Sequence, residues 1–159
     1  MKIILATATA TLLATSVATA DHHATPEDGP EAVARAIYDA FAVGDMAAFT
    51  ALLDADIVWN EAEHYLYADR NPYEGPDAVL EGVFARTGAD WEGFTATPER
   101  MIADEDEVAV TGRYTATHRA TGEALDAQFV HVWTIEDGLV VRFQQYTDTW
   151  QAREVAGLD

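Results

Sequence analysis

The stretch LDAQFVHVWTIEDGLVVRFQQYT, residues 125–147, decides the fold of this 159-residue chain. It holds two apolar segments, Leu125 to Ile135 and Leu139 to Thr147, on either side of Asp137-Gly138. β-Branched and aromatic residues favour strands, and Asp-Gly between two such segments is a strong hairpin signal. The stretch therefore predicts two long antiparallel strands joined by a tight turn.

Two more strands are predicted upstream of this hairpin. Trp91 to Ala103 and Val108 to His118 are rich in alternating or apolar residues, and Asp104-Glu105-Asp106 separates them. Thr121-Gly122 marks the turn into the hairpin. The second half of the chain therefore predicts a meander of four antiparallel strands, followed by a short helical turn from Trp150 to Val155.

The first half of the chain predicts helices instead. Apolar residues recur at three- and four-residue steps between Val33 and Phe41, the spacing of an amphipathic helix, and Gly44 ends it. Asp45 is placed to cap a second, short helix. Gly75-Pro76 opens a third, because proline at the first helical position needs no amide hydrogen bond. Helices followed by antiparallel strands predict an α+β domain, with helices on one face of a curved sheet.

A strand and an irregular segment connect the second and third helices. Ile57-Val58-Trp59 is β-branched and aromatic, so it predicts a strand. Residues 60–75 include three tyrosines but no regular period, and we interpret them as a cover over the domain. The third helix is expected to end at Thr87-Gly88.

Composition excludes several classes of function. The chain is 49% apolar and 23% charged, which is typical of one globular domain. Its formal charge of −19 argues against binding to nucleic acid or to an anionic membrane. Cysteine is absent from the sequence, so disulfides, thiolate metal sites and a cysteine nucleophile are excluded. Since no phosphate-binding loop, serine-hydrolase elbow or His-Glu-x-x-His motif occurs either, neither a cofactor nor a metal is expected.

The first 20 residues differ from the remainder. Lys2 is followed by an apolar Ala/Thr run that ends in Ala18-Thr19-Ala20, which predicts a signal peptide over residues 1–20 with cleavage after the last alanine. A membrane anchor is the alternative, but the run is short and diluted by threonine. We expect a periplasmic or secreted protein in which eight arginines face 28 acidic residues, a charge of −20. Residues 21–30 are predicted to be a flexible lead-in to a domain over 31–155.

This order of elements resembles the nuclear transport factor 2-like superfamily, and within it the SnoaL-like and ketosteroid isomerase-like proteins. The resemblance covers residues 31–153. It implies a cone-shaped, cystatin-like α+β fold whose open end admits a small apolar molecule, often in a homodimer formed through the outer sheet face. Its members differ in chemistry, so it does not determine the reaction. The stretches that carry it are Ala42-Val43-Gly44-Asp45, Asp54-Ala55-Asp56-Ile57-Val58-Trp59, Gly75-Pro76-Asp77-Ala78, Phe129-Val130-His131-Val132-Trp133, Asp137-Gly138 and Phe143-Gln144-Gln145-Tyr146.

Strand alternation nominates the residues that face the pocket. Trp59 and Glu61 share one strand face, and Phe129, His131 and Trp133 share another. A carboxylate beside tryptophan loses hydration, which raises its pKa toward the range of a general base or acid. Imidazole titrates near neutral pH and suits a general acid or an oxyanion donor. We therefore predict catalytic Glu61 and His131 with the three aromatic residues as substrate contacts; the alternatives are a solvated glutamate and a hydrogen-bonded core histidine.

The resemblance to the isomerases sharpens this assignment. Their catalytic aspartate follows the Gly-Asp helix joint at a fixed distance, and that distance from Asp45 falls on Glu61. Their oxyanion-hole aspartate corresponds to His131, and their catalytic tyrosine to Ile37. Tyr38 is one position away and is expected on the wrong face of its helix. The tyrosine half of that oxyanion hole is therefore expected to be missing.

Four further residues are weighed as site candidates. Asp148 resembles the acid/base aspartate that SnoaL-type cyclases carry near the end of the last strand, although alternation turns it outward. Gln145 faces inward and could hydrogen-bond a substrate carbonyl. Phe84, on the apolar face of the third helix, is predicted as a further substrate contact. His64 and its acidic neighbours offer metal-type ligands, but such a loop cluster is more often solvated.

Two function classes follow from the sequence. The first is a small enzyme that carries out cofactor-free proton transfer on an apolar carbonyl or polyketide-like compound, as an isomerase, cyclase or dehydratase. The second is a secreted binding module whose pocket only holds a small apolar ligand.

Overall fold

The computed structural model describes residues 29–158. The predicted signal peptide and residues 21–28 of the predicted lead-in lie outside the described residues. The elements in chain order are α1 (Pro30–Val43), α2 (Met46–Thr50), β1 (Leu53–Asn60), a 3₁₀ turn (Ala68–Arg70), β2 (Tyr73–Glu74), α3 (Pro76–Val79), a π-helical turn (Leu80–Phe84), α4 (Ala85–Asp90), β3 (Trp91–Asp104), β4 (Glu107–His118), β5 (Ala124–Glu136), β6 (Leu139–Thr147) and α5 (Thr149–Val155).

The six strands form one mixed sheet in the order β2-β1-β6-β5-β4-β3. β1 runs parallel to β6, and every other neighbouring pair is antiparallel. Register shifts in β3, between Glu92 and Thr95 and between Pro98 and Arg100, bend the strand and help to curve the sheet. The predicted α+β fold with a curved, mostly antiparallel sheet is confirmed. The two-residue strand β2 lies within the segment predicted to be irregular.

The predicted end of the first helix, the predicted cap of the second helix and the predicted hairpin turn are confirmed. Gly44 ends α1 with φ of 71°, and its amide donates to the carbonyl of Phe41 over 3.0 Å. Oδ1 of Asp45 accepts from the amide of Ala48 over 2.9 Å and so caps α2. Asp137 and Gly138 have φ of 49° and 81°, the positive values that a type I′ hairpin turn requires.

The third helix is longer than predicted and contains the π-helical turn. Its three segments run without a break from α3 through the π turn to α4, so it continues past Thr87 to Asp90. The ring of Tyr73 packs against the backbone of this turn at Gly82. A Cβ at Gly82 would lie 2.1 Å from Cε1 of Tyr73, so glycine is required there.

The buried face of α1 is rotated by about one residue position relative to the predicted face. The spacing predicted a face that includes Val33 and excludes Tyr38, whereas the structure leaves Val33 half-buried and buries Tyr38. Both faces satisfy the same three- and four-residue spacing, so periodicity alone does not distinguish them. The tyrosine ring suits the core because buried polar groups satisfy its hydroxyl. The buried residues of α1 are Ala34, Ile37, Tyr38 and Ala40.

The helices cover the concave face of the sheet and leave the other face open. Alternate residues of β5 and β6 point toward the helices, as strand periodicity predicts, and Phe129, His131 and Gln145 are among those buried. Between residues 29 and 158 we find no helix long and apolar enough to cross a membrane. The site described next lies in the space between the helices and the concave face.

A buried carboxylate in an aromatic cavity

A cavity lies between α1, the third helix and the sheet. Its walls are mainly aromatic, and they include the predicted substrate contacts Trp59, Trp133 and Phe84. Apolar walls of this kind exclude water and favour a small hydrophobic ligand. Polar groups gather at one end, where Glu61, His131, Gln145, Tyr38, Tyr65 and Tyr114 line the cavity.

Glu61 follows β1 directly and lies in this cavity rather than in water, with 2% of its surface exposed. Its Oε1 accepts from the indole Nε1 of Trp59 over 2.6 Å, while its Oε2 has no hydrogen-bond partner among residues 29–158. Asn71 holds the backbone: its Oδ1 accepts from the Glu61 amide over 3.0 Å, and its Nδ2 donates to the Glu61 carbonyl over 2.7 Å. The backbone is therefore fixed while one carboxylate oxygen is left free.

The surroundings of Glu61 place its titration near neutral pH. Burial raises the pKa of Glu61 from 4.5 to about 7, against the opposing effect of the Trp59 indole and the Gln145 amide, which both favour the charged form. Near pH 7 the carboxyl group therefore exists in both forms. It is suited both to take up and to return a proton.

His131 is buried on β5 with a hydroxyl group at each ring nitrogen. Nδ1 lies 2.7 Å from the hydroxyl of Tyr38, and Nε2 hydrogen-bonds the hydroxyl of Tyr114. Burial lowers the pKa of His131 to about 3, so the ring is neutral at physiological pH. With both nitrogens engaged, the groups that can reach a ligand oxygen are the two hydroxyls rather than the imidazole predicted from the sequence.

The two tyrosine hydroxyls are held by a second pair of side chains. Nε1 of Trp133 donates to the hydroxyl oxygen of Tyr38 over 3.3 Å, and Nε2 of Gln145 donates to that of Tyr114 over 3.0 Å. The amide orientation of Gln145 is set by its Oε1, which accepts from the amide of Ala62 over 3.1 Å. Burial raises the pKa of both tyrosines above the ordinary value, so both hydroxyls stay protonated.

Sequence reasoning missed the two tyrosines as site residues. Tyr38 corrects the expectation of a missing tyrosine: it reaches the cavity from the position beside Ile37, which also lines it. Tyr114 shares the inward face of β4 with Val110 and Gly112, and that alternation was the available signal. Neither residue is marked by a motif, and only the fold brings both to His131.

Phe129, which the sequence predicts as a substrate contact, lies against the ring of His131. It is absent from the cavity wall, and its ring stacks on that of His131 with centroids 4.0 Å apart and an interplanar angle of 17°. Gly112 makes room for this ring, since a Cβ there would lie 2.4 Å from Cζ of Phe129. Phe129 therefore fixes the plane of the imidazole from behind.

Asp148 lies outside the cavity. Its Oδ1 accepts from the amide of Gln151 over 3.0 Å and caps α5, so the carboxylate is used at a helix N-terminus. Strand alternation correctly indicated that it turns outward. Glu63 and His64 are exposed while Glu61 is buried, and in the described part of the chain no three His, Asp or Glu side chains gather as a metal site.

The tyrosine-rich segment covers one side of the cavity. Tyr65 lines the cavity, whereas Tyr67 is tied to the third helix by a hydrogen bond to Asp90 of 2.9 Å. The guanidinium of Arg86 lies 4.7 Å from the centroid of the Tyr67 ring and pairs with Asp69 at 2.7 Å. These contacts anchor the cover, which agrees with the interpretation of the segment.

Comparison with known proteins identifies the family. The profile of the SnoaL-like domain family matches residues 34–143. A search of curated protein sequences gave no match. Among solved structures, an NTF2-like protein from Burkholderia thailandensis is 31% identical over 80% of this chain and 96% of its own, with a TM-score of 0.76.

Two further structures share the fold. Bal32a, from a soil-derived mobile gene cassette, is 26% identical over 79% of this chain and 95% of its own, with a TM-score of 0.71. IdmH, a candidate polyketide cyclase from Streptomyces antibioticus, is 22% identical over 81% and 99%, with a TM-score of 0.69. The matched residues 34–143 include most of α1, the carboxylate, the imidazole and both tyrosine hydroxyls of the cavity. The chain is thus a member of the SnoaL-like domain family, with the nuclear transport factor 2-like fold.

Proposed function

We propose that this protein is a cofactor-free enzyme that moves protons on an apolar, polyketide-like carbonyl compound, with Glu61 as the catalytic base. One observation carries the proposal: Oε2 of Glu61 is buried in an aromatic cavity and has no partner among residues 29–158. Leaving a buried carboxylate oxygen unpaired is costly, and such cost is typical of functional sites. A ligand that donates a hydrogen bond to Oε2 would remove this energetic cost.

The residues present can carry out the whole proton transfer. Oε2 of ionised Glu61 takes a proton from the carbon next to the substrate carbonyl, and the electrons of that C–H bond move onto the carbonyl oxygen. A hydroxyl of Tyr38 or Tyr114 donates to the enolate oxygen that forms, which stabilises its charge in a site without bulk water. Protonated Glu61 then returns the proton to another carbon in an isomerisation, or to a hydroxyl that leaves as water in a dehydration. In a cyclisation the enolate carbon forms a bond to a second carbonyl carbon, and Glu61 returns the proton to the alkoxide that results.

The substrate class is supported by the walls of the cavity and by the comparisons. Trp59, Phe84 and Trp133 offer flat apolar surfaces suited to a planar, conjugated molecule. The description of IdmH as a candidate polyketide cyclase agrees with a substrate of this kind. The reaction is therefore an isomerisation, cyclisation or dehydration that begins with proton abstraction next to a carbonyl.

The test is turnover of a panel of apolar ketones and polyketide-like hydroxyketones by the natural protein, Glu61→Gln and Glu63→Gln. We expect Glu61→Gln to lower kcat about 10²- to 10⁴-fold while ligand affinity changes little, because the general base is lost but the cavity is kept. Glu63→Gln is the matched control, since that carboxylate is exposed two residues away. Full turnover by Glu61→Gln would refute the base, and binding without any turnover would favour the binding module.

We also propose that the protein is exported and cleaved after Ala20. Lys2, the apolar Ala/Thr run and the Ala18-Thr19-Ala20 ending support this. Mass spectrometry of the protein from periplasm or medium should show a chain that begins at Asp21. An exported chain that retains Met1 would contradict the cleavage.

A further inference from the structure

His131 connects two hydroxyl groups but has only one hydrogen to share between them. We call Tyr38, His131 and Tyr114 the imidazole bridge. A neutral imidazole has one N–H and one lone pair. Since Nδ1 contacts the hydroxyl of Tyr38 and Nε2 that of Tyr114, one tyrosine must donate to the ring and the other must accept from it.

Trp133 and Gln145 hydrogen-bond the two tyrosine oxygens from outside the imidazole bridge, and they do not change the number of hydrogens shared within it. The indole of Trp133 is a donor only, and Gln145 presents its NH₂ because its carbonyl already accepts from the amide of Ala62. Each tyrosine oxygen therefore accepts one hydrogen bond from outside the bridge. These donors hold the oxygens in place and offer no acceptor for a tyrosine hydrogen.

The hydrogen count then leaves one hydroxyl hydrogen free in either tautomer. With the ring proton on Nε2, Tyr38 donates to Nδ1, and Tyr114 accepts twice and finds no acceptor for its own hydrogen among residues 29–158. With the ring proton on Nδ1 the roles reverse, and the hydrogen of Tyr38 is free. Both tyrosines line the cavity, so the free hydrogen is available to a ligand.

We propose that His131 is a positioning residue whose single ring proton selects which tyrosine, Tyr38 or Tyr114, donates to the ligand. The imidazole bridge then offers one hydroxyl donor at a time, in the same cavity as the carboxyl group of Glu61. That pair matches a ligand with one acceptor oxygen next to an acidic hydrogen, such as an enolisable ketone or a phenol. This ligand class rests on the proposed function, whereas the tautomer exchange rests only on the hydrogen bonds.

The tautomer is measured by NMR on full-length protein labelled with ¹⁵N-histidine. The chain has five histidines, and the His131 signals are those that a His131→Gln variant lacks. A buried N–H without an acceptor is costlier than an unpaired lone pair. We therefore expect Tyr114→Phe to place the ring proton on Nδ1 and Tyr38→Phe to place it on Nε2. Tyr65→Phe is the matched control, because Tyr65 lines the same cavity and takes no part in the hydrogen bonds of the His131 ring to Tyr38 and Tyr114.

The same tautomer in both variants would overturn the proposal, and so would a doubly protonated ring at pH 7. The natural protein supplies a second measurement that does not depend on the variants folding. 4-Nitrophenolate has one oxyanion, which should bind the free hydroxyl hydrogen. At saturation the His131 ring should adopt a single tautomer, and a remaining mixture of tautomers would also overturn the proposal.

Affinity for 4-nitrophenolate tests the exchange of donors. Either single variant retains one free hydroxyl hydrogen, so we expect each to lose less than about tenfold in affinity. The double variant Tyr38→Phe/Tyr114→Phe has none, and we expect it to lose about 10- to 100-fold more than the two single losses combined. Independent, additive losses would contradict the proposal. Neither the tautomer measurement nor the affinity measurement needs turnover. If Tyr38→Phe and Tyr114→Phe showed opposite tautomers while the natural protein turned over no substrate, only the proposed function would be refuted.

Discussion

The indole N–H of Trp59 donates to Oε1 of Glu61 over 2.6 Å, while Oε2 of the same carboxylate has no partner among residues 29–158. The tryptophan thus both desolvates the carboxylate and orients it. Burial outweighs the opposing effects of the Trp59 indole and the Gln145 amide, so the pKa of Glu61 stays raised to about 7. Burial of the ionised Glu61 carboxylate therefore destabilises the folded protein, and this destabilisation can be measured.

Glu61 should make the folded protein less stable as pH rises toward neutral. Its folded pKa of about 7 lies above the ordinary 4.5, so the stabilisation from its protonated form is complete below pH 4.5 and is lost as pH rises through 7. The shift corresponds to about 3 kcal/mol. In urea unfolding, we expect the free energy of unfolding of Glu61→Gln, relative to that of the natural protein, to rise by about 3 kcal/mol between pH 4.5 and 7.5. A difference that does not vary with pH would contradict the buried titration.

Gly82→Ala should destabilise the fold through the contact with Tyr73. A Cβ at Gly82 would lie 2.1 Å from Cε1 of Tyr73, so the ring or the π turn must move, at a cost of about 1–3 kcal/mol or more. Gly88→Ala in the same helix is the matched control, since nothing lies within 4 Å of a Cβ there. It should be neutral or stabilising by up to about 1 kcal/mol. Equal effects of the two substitutions on thermal unfolding would refute this packing argument.

Asp148→Ala should affect stability but not chemistry. Loss of the cap on α5 should cost about 0.5–2 kcal/mol, as should loss of the similar cap that Asp45 provides to α2. Turnover measured well below the melting temperature should be unchanged in both variants. If Asp148→Ala lost activity that Asp45→Ala retained, Asp148 would have the acid/base role predicted from the sequence.

The open face of the sheet should support a homodimer. Near the end of β6, Tyr146 and Trp150 expose 57% and 70% of their surface. Large apolar side chains exposed close together are typical of an interface with another protein chain. Because each processed chain would carry −20, salt should strengthen the association. Sedimentation at low and high salt measures it, and Trp150→Ser should weaken it more than Val43→Ser, which lies 80% exposed on α1. A monomer at both salt concentrations would contradict the prediction.

Local signals were reliable wherever the chain has few conformational choices. Gly44 and Asp45 ended and capped their helices as predicted, because a positive φ and a cap oxygen are properties of one or two residues. Asp137-Gly138 formed its turn for the same reason. The face of α1 could not be decided in this way, since rotation by one residue preserves the spacing and only packing selects Tyr38.

By itself, the sequence determined the order of helices and strands, the acidic charge, and the inward faces that carry Glu61, His131 and Gln145, because alternation and capping are local. Only the tertiary structure decided the partners of these groups. Tyr38 lies 93 positions from His131, and Tyr114 lies 17. Their hydroxyls meet one imidazole because α1 packs across β4 and β5, and a contact made across the core leaves no periodic signal in the chain.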